Sequence, residues 1–411
     1  MHRDDPFVIV GAGLAGATAA RTLREEGFTG RVVLIGDETD PPYERPPLSK
    51  DYLMGLTDRD ATFVHPRHWY ADNNIDLRTG VAVTRIDPGR HAVTLADGSH
   101  LGYAKLLLTT GSSPRRLGLP GTVLGRGHYL RRLGDSDRIK EMFRTASRIV
   151  VIGGGWIGLE TAAAARAAGI EVTVLESSEL PLLRVLGIRV SQIFADLHRR
   201  HGVHLRCGAQ IAEITGEDDH ATGVRLTDGS HLPADAVIIG AGITPNTYLA
   251  DQAGLKIDNG IWVDEHLHTS HDDVYAAGDV ANAYHPLLGR HLRVEHWANA
   301  LHQSPVAAKS MLGQDATHDR LPYFFTDQYD LSMEYTGYAE PDGYDQVVIR
   351  GDVESGAFIA FWLQHGRLLA GMNVNTWDVT DSIAALIRTG RPINTGRLTN
   401  PRTPLEALPE P

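Results

Sequence analysis

Apolar residues in this chain gather into short unbroken runs, and two of those runs open the same series of elements. The first covers residues 6–10 and gives way to Gly11-Ala12-Gly13-Leu14-Ala15-Gly16, a helical stretch over 17–26 and a second apolar run over 31–35. The other covers 148–152 and gives way to Gly153-Gly154-Gly155-Trp156-Ile157-Gly158, an alanine-rich helical stretch over 159–168 and another strand over 171–175. Strand, glycine turn, helix and strand within about 30 residues predict a parallel βαβ unit. The chain carries two.

The duplication extends further. Asp97-Gly98 and Asp228-Gly229 each stand between strand-like stretches, as hairpin turns do, and each follows its own glycine motif at a similar distance. An apolar strand ending in glycine comes after each: Leu106-Leu107-Leu108-Thr109-Thr110-Gly111 and Ala236-Val237-Ile238-Ile239-Gly240. Two homologous nucleotide-binding domains account for this pattern. Beyond about residue 320 it changes to aromatic, alternating segments, Gln346-Val347-Val348-Ile349 and Ala357-Phe358-Ile359-Ala360-Phe361-Trp362. These predict a small antiparallel sheet with an irregular proline-rich tail.

The two turns carry the residues that dinucleotide binding needs. Gly11 permits the tight turn after its strand, Gly13 lets the backbone approach a pyrophosphate, and Gly16 lets helix and strand pack closely; Gly153, Gly155 and Gly158 stand in the same places of the second unit. The helix N-terminus then offers free N–H groups and partial positive charge to phosphates. In the first unit Asp37 and Glu38 are both candidates for the ribose-binding acid, Asp37 being nearer the expected spacing. In the second, Glu176 ends the strand. A carboxylate there accepts from the adenosine 2′-hydroxyl and repels a 2′-phosphate, which favours NAD over NADP. Arg184, further along, is a candidate partner for a phosphate.

At 411 residues the chain has room for two or three domains. Its 42% hydrophobic and 22% charged residues are ordinary for a globular protein. No apolar run reaches the ~20 residues that span a bilayer, and the opening Met1-His2-Arg3-Asp4-Asp5-Pro6 lacks the apolar segment of a secretory signal. A cytoplasmic protein with no membrane partner is expected. The net charge of −12 argues against nucleic acid and leaves an acidic protein partner open. Cys207 is the single cysteine. One cysteine excludes an intramolecular disulfide, a cysteine-pair electron relay and four-cysteine zinc or iron–sulfur sites, so redox chemistry must run through a bound organic cofactor. His266, His268 and His271 cluster without a helical i, i+4 pair and supporting acid, and no metal is expected.

Three further blocks are more specific: Pro42-Tyr43-Glu44-Arg45-Pro46-Pro47-Leu48-Ser49-Lys50, Val274-Tyr275-Ala276-Ala277-Gly278-Asp279-Val280 and Arg293-Val294-Glu295-His296-Trp297. Together they resemble the FAD-dependent ferredoxin reductases of bacterial oxygenase systems, and the resemblance runs through nearly the whole chain. It implies an α/β fold of glutathione-reductase-like architecture. Two Rossmann-like domains are expected, 1–112 with 245–318 for FAD and 113–244 for NAD, followed by a C-terminal α+β domain over 319–411.

The resemblance also implies a site. The FAD residues are those of the first turn, Ala15 included, then Asp37, Arg45, Lys50, Thr110, Gly111, Gly278, Asp279, Glu295 and Trp297. Val83 matches the position whose backbone holds the adenine, and Arg131 an arginine near the pyrophosphate. The NAD residues are those of the second turn, Trp156 and Ile157 included, with Glu160, Glu176, Arg184 and Gly242. In the family Lys50 lies beside the isoalloxazine and pairs with a glutamate at the position of Glu160. A buried lysine needs such a partner, and its charge would stabilise negative charge on reduced flavin. These two are the catalytic candidates. Ala277-Gly278-Asp279-Val280 reads as a strand end turning into a helix whose N–H groups face the pyrophosphate.

The activity so implied is a hydride passed from NADH to FAD, then single electrons to a [2Fe–2S] ferredoxin that serves an oxygenase. Arg115, Arg116, Arg131 and Arg132 are either a patch that steers an acidic ferredoxin or scattered surface charge. An NADH oxidase or quinone-type reductase and a flavin-based redox sensor share the fold; the Lys50–Glu160 pair and both intact glycine motifs weigh against the sensor. Oligomeric state, monomer or homodimer, stays open. The chain departs from the family in Ala298-Asn299-Ala300-Leu301-His302-Gln303-Ser304, where an acidic residue, Asn-Ala-Leu and then Glu-Gln-Gly are usual. It departs again at Phe325, where a tryptophan beside the flavin is common, which puts an electron route through that indole in doubt.

Overall fold

A computed structural model describes residues 5–125, 127–218 and 220–408, so residues 1–4, part of the opening run read for a secretory signal, lie outside the described residues. The chain divides into two compact units. One comprises Met1–Arg45, Asp58–Ser113 and Ile243–Arg320; the other comprises Pro46–Thr57, Pro114–Gly242 and Leu321–Pro411.

The first unit is built on five parallel strands in the order Val274–Ala276, Lys105–Leu108, Phe7–Val10, Val32–Ile35 and Ile75–Arg78. All four residues of the central strand Phe7–Val10 are buried, as a parallel strand covered on both faces requires. The first glycine helix, Leu14–Glu25, crosses one face and packs on the helix Trp297–Met311. Small buried residues, among them Ala17, Ala20, Ala307 and Ala308, let the two approach, and Lys309 pairs with Glu26 at 3.2 Å.

The second unit repeats the plan with the parallel order His204–Arg206, Glu171–Leu175, Arg148–Ile152, Ala236–Ile239 and Gly127–Tyr129. Both glycine helices start three residues before the sequence pattern places them, at Leu14 and at Trp156. Ala15, Gly16, Ile157 and Gly158 therefore lie in first helical turns. Each unit also carries a three-stranded antiparallel sheet with its Asp-Gly turn. The aspartate of each accepts from a serine N–H two residues on, Asp97 from Ser99 at 2.9 Å and Asp228 from Ser230 at 2.8 Å.

Residues from 321 onward belong to the second unit. They form a five-stranded antiparallel sheet, Tyr323–Gln328, Leu331–Gly337, Arg367–Val374, Ala357–Gln364 and Gln346–Asp352. Its Phe358 and Trp362 share a core with Val151, Leu159 and Val172 of the βαβ strands and helix.

Two expectations need correction. The tail is not irregular throughout: Thr380–Thr389 is a helix that buries Ile383, Leu386 and Ile387, an i, i+3, i+4 stripe, and ends at Gly390 with φ 59°. The strand Val274–Ala276 does not run into a helix at Asp279. Gly278–Val280 is a single 3-10 turn, and the chain continues as the strand Ala281–His285, parallel to Ile261–Val263. Pairing there satisfies the backbone groups that a helix would otherwise have to satisfy. The helix N-terminus comes instead at Trp297, with His296 as N-cap. Among the described residues no helix is long and apolar enough to cross a membrane.

Candidate active site

The six motif glycines do two different jobs. Gly11 sits at φ 118°, and a methyl group on it would lie 2.1 Å from the Thr109 carbonyl oxygen; one on Gly16 would lie 2.1 Å from that of Gly11. The second unit repeats this, with Gly153 at φ 106° and 2.3 Å from the Gly240 oxygen, and Gly158 2.0 Å from that of Gly153. These four hold strand, turn and helix together. Gly13 and Gly155 differ: nothing stands within 4 Å of the place a side chain would take. Each is an N-cap beside a helix N-terminus, which leaves a cradle for phosphate in each unit. The two turns fit the FAD and NAD pyrophosphates that the family implies.

In the first unit residues 42–45 of the first specific block meet the other two blocks. The Arg45 guanidinium stands 3.1 Å from Glu38, whose other oxygen accepts from the Tyr43 hydroxyl at 2.6 Å. Burial works against the charge on Arg45, but Tyr43, Glu38 and Asp279 outweigh it and hold the group above its ordinary range. Arg293 pairs with Glu295 and donates to the Asp279 carbonyl at 3.4 Å. Burial raises the Glu44 carboxyl, and the nearby Trp297 indole offsets part of that rise. Burial pushes the His296 imidazole down to about 4, against the pull of Asp279. Gly278 lies against Ala15 of the first turn. Thr110 is latched to Asn246 by reciprocal 2.8 Å hydrogen bonds, and the Gly111 carbonyl accepts from the Asn246 N–H.

Of the two acids after the second strand, Asp37 is exposed, whereas Glu38 is tied to Tyr43 and Arg45. Val83 opens the strand Val83–Asp87, half-buried. The histidine cluster makes local contacts: His266 Nδ1 lies 2.8 Å from the Ala316 carbonyl, and His268 lies 3.6 Å from Asp264.

In the second unit Glu176 turns back onto the glycine turn. Its carboxylate accepts from the Gly154 N–H at 2.7 Å and from the Ser178 N–H at 2.7 Å. Trp156 packs against Phe194 and Phe324, while Ile157 beside it is 43% exposed, a large apolar side chain presented at a helix N-terminus. Arg184 is exposed in the first turn of Leu183–Arg200. The Gly242 carbonyl accepts from the Arg115 N–H at 2.8 Å. Arg131 lies in this unit, with its backbone N–H on Asp135 at 2.9 Å. Arg115, Arg116 and Arg132 are exposed, and Arg116 lies over the Tyr129 ring at 4.3 Å.

The segment Pro46–Thr57 belongs to this unit and is pinned to it. The Ser136 hydroxyl donates to the Leu48 carbonyl at 2.8 Å, and the Tyr52 hydroxyl donates to Asp137. This brings the Lys50 ammonium to 2.8 Å from the Glu160 carboxylate on the second glycine helix. Ser49 donates to one Glu160 oxygen, and Thr326 donates to the other at 2.5 Å. Phe325 lies under the ammonium, 5.4 Å from its ring centre. The two hydroxyl donors had no role assigned from sequence. Ser49 adjoins Lys50 and Thr326 adjoins Phe325 in the sequence, but only the fold shows that both face one carboxylate.

With this geometry in place, comparison with known proteins is specific. Residues 5–304 match the pyridine nucleotide-disulphide oxidoreductase family, and 323–409 match the reductase C-terminal domain. This chain belongs to the pyridine nucleotide-disulphide oxidoreductase family. It is 38% identical to putidaredoxin reductase of Pseudomonas putida, over 99% of this chain and 97% of that protein. It is 40% identical to the ferredoxin reductase subunit of the 5,5'-dehydrodivanillate O-demethylase of a Sphingobium species, over 98% and 97%. Putidaredoxin reductase in its covalent complex with putidaredoxin superposes with a TM-score of 0.93 at 37% identity, covering 98% of each chain. The ferredoxin reductase of Rhodopseudomonas palustris gives 0.94 at 36%, covering 98% and 99%. The oxidoreductase described here therefore has the two-unit fold and the C-terminal sheet of those enzymes.

Proposed function

We propose that this oxidoreductase is an NADH-dependent ferredoxin reductase, with FAD on the first unit, NADH on the second and a [2Fe–2S] ferredoxin of an oxygenase system as electron acceptor. The observation that carries the reading is the ion pair of Lys50 with the buried Glu160 of the second glycine helix, in a chain whose single cysteine leaves no disulfide relay. The full-length similarity to reductases of named ferredoxin systems supports it. FAD, when bound, supplies the conversion between a two-electron hydride donor and one-electron acceptors.

The chain supplies binding and field. The open sides of Gly13 and Gly155 admit pyrophosphate to helix N-termini. Asp279 would accept from a flavin hydroxyl, and the helix starting at Trp297 would offer N–H groups to electron-rich ring atoms. Glu176 selects the nucleotide without a 2′-phosphate. Lys50 keeps a positive charge in place, and Glu160 fixes it. We place the enzyme in the cytoplasm, where NADH is made.

Anaerobic mixing with NADH, then with a [2Fe–2S] ferredoxin, tests the reading. Rapid bleaching of the flavin followed by ferredoxin reduction at the catalytic rate is expected. A purified protein without flavin overturns it. Bleaching with no transfer to ferredoxin but fast reoxidation by oxygen reassigns the chain as an oxidase.

A further inference from the structure

Glu160 is the end point of a longer arrangement inside the second unit. The strand Tyr323–Gln328 alternates faces, so Thr326 and Gln328 both point inward, and both are 1% exposed. Gln328 Nε2 lies 3.2 Å from Thr326 Oγ1, and Gln328 Oε1 lies 2.8 Å from His198 Nε2 on the helix Leu183–Arg200. His198 is fully buried, and its Nδ1 lies 3.2 Å from the Tyr329 hydroxyl. Tyr329 leaves the strand at φ 58°, an uncommon conformation for a tyrosine, which turns its ring onto His201 at 3.8 Å.

The direction of every bond in this series follows from its carboxylate end. Ionised Glu160 only accepts, so Thr326 donates its one proton to it. Thr326 then accepts from the Gln328 amide NH2, which leaves the Gln328 carbonyl oxygen to accept from His198 Nε2–H. A neutral imidazole has one N–H, so His198 Nδ1 accepts from the Tyr329 hydroxyl. Burial keeps that imidazole neutral, pushing it down to about 4. The dipoles run head to tail from Tyr329 to Glu160, which strengthens each link. An amide in the middle does not pass a proton onward, so the series orients groups rather than conducting.

We infer that Thr326, Gln328 and His198 are positioning residues that act through Glu160 on Lys50 and so set the field that the ammonium presents to the flavin. This rests on the proposed function, since it requires Lys50 to act on bound FAD. Glu160 thereby receives donors from Lys50, Ser49 and Thr326. Three donors fix the orientation of the carboxylate, and the Lys50 ammonium is held in one place beside it.

The test compares flavin-loaded Thr326→Val, Thr326→Ser, Gln328→Met and Glu160→Gln with the unaltered enzyme. The readouts are the midpoint potential of the bound flavin at fixed pH and the rate of its reduction by NADH. Thr326→Val shifts the potential to more negative values, because the carboxylate beside Lys50 is no longer partly neutralised by the hydroxyl, and slows reduction about tenfold, the scale of one charge-assisted hydrogen bond. Gln328→Met moves both in the same direction by less, because Thr326 loses only the donor that orients its hydroxyl. Thr326→Ser restores both. If Thr326→Val and Gln328→Met lower stability but keep the original potential while Glu160→Gln shifts it, the inference is wrong and the proposed role of the pair stands. If Glu160→Gln also leaves the potential unmoved, both fall. Should Thr326→Val not fold, Gln328→Met alone decides, since it leaves every donor to Glu160 in place.

Discussion

The Lys50 ammonium and the Glu160 carboxylate stand 2.8 Å apart with only 12% and 4% of their side chains exposed. Burial makes the pair costly to break from one side, because the survivor is left charged in a poor solvent. Glu160→Leu is expected to lose about 3 kcal/mol of folding stability. The double variant Lys50→Met/Glu160→Leu is expected to recover part of that loss. Denaturant unfolding of both single variants and the double gives the coupling directly.

The motif glycines divide by what surrounds them. Gly153→Ala and Gly158→Ala drive a methyl group into backbone 2.0–2.3 Å away and are expected to fail in folding. Gly155→Ala meets nothing within 4 Å. It is expected to keep the melting temperature and bound flavin while weakening NADH binding at least about tenfold, since the methyl group fills the phosphate's approach. Melting curves together with nucleotide titration separate the two classes.

Glu176 is held against the glycine turn by the Gly154 and Ser178 N–H groups. Glu176→Arg replaces the negative charge facing a 2′-phosphate with a positive one. The ratio of kcat/KM for NADPH over NADH is expected to rise at least about tenfold. An unchanged ratio would remove Glu176 from nucleotide selection.

Burial lowers the His198 imidazole from 6.5 to about 4. The unfolded chain takes up a proton that the folded one refuses, so this group's contribution is present above pH 6.5 and is lost as pH falls towards 4. The loss is of the order of 3 kcal/mol. His198→Gln is expected to flatten stability over that window. His296, at about 4, and His318, at about 3, keep part of the slope.

The two βαβ units were legible because parallel strands are unbroken apolar runs and because each motif glycine has its own geometric task. Helix starts were misplaced because Leu14, Ala15, Trp156 and Ile157 lie inside glycine motifs that read as turns, while the helices already begin there. The helix Thr380–Thr389 is hard to see in sequence because its buried stripe is only Ile383, Leu386 and Ile387 in a proline-bearing tail. The partnership of Lys50 with Glu160 came from resemblance, since no local pattern joins residues so distant in sequence. Thr326 and Gln328 were hidden for a physical reason: polar positions on an alternating strand ordinarily face water. Here Thr326 and Gln328 share the inward face with Phe324, and Thr326 meets a buried carboxylate.

The path of the chain between the units has a consequence for how the protein is made. The sheet order of the first unit ends in Val274–Ala276, so Lys105–Leu108, synthesised long before, stays an open edge until that strand emerges. Meanwhile Pro46–Thr57 must wait for partners that begin at residue 114. Neither unit corresponds to a continuous stretch of nascent polypeptide. A ribosome stalled between residues 113 and 243 would hold two half-built structures, the first unit lacking 243–320 and the second lacking the segment from 321 onward. Cutting the gene at either boundary should therefore give fragments that aggregate alone and regain structure only when co-expressed.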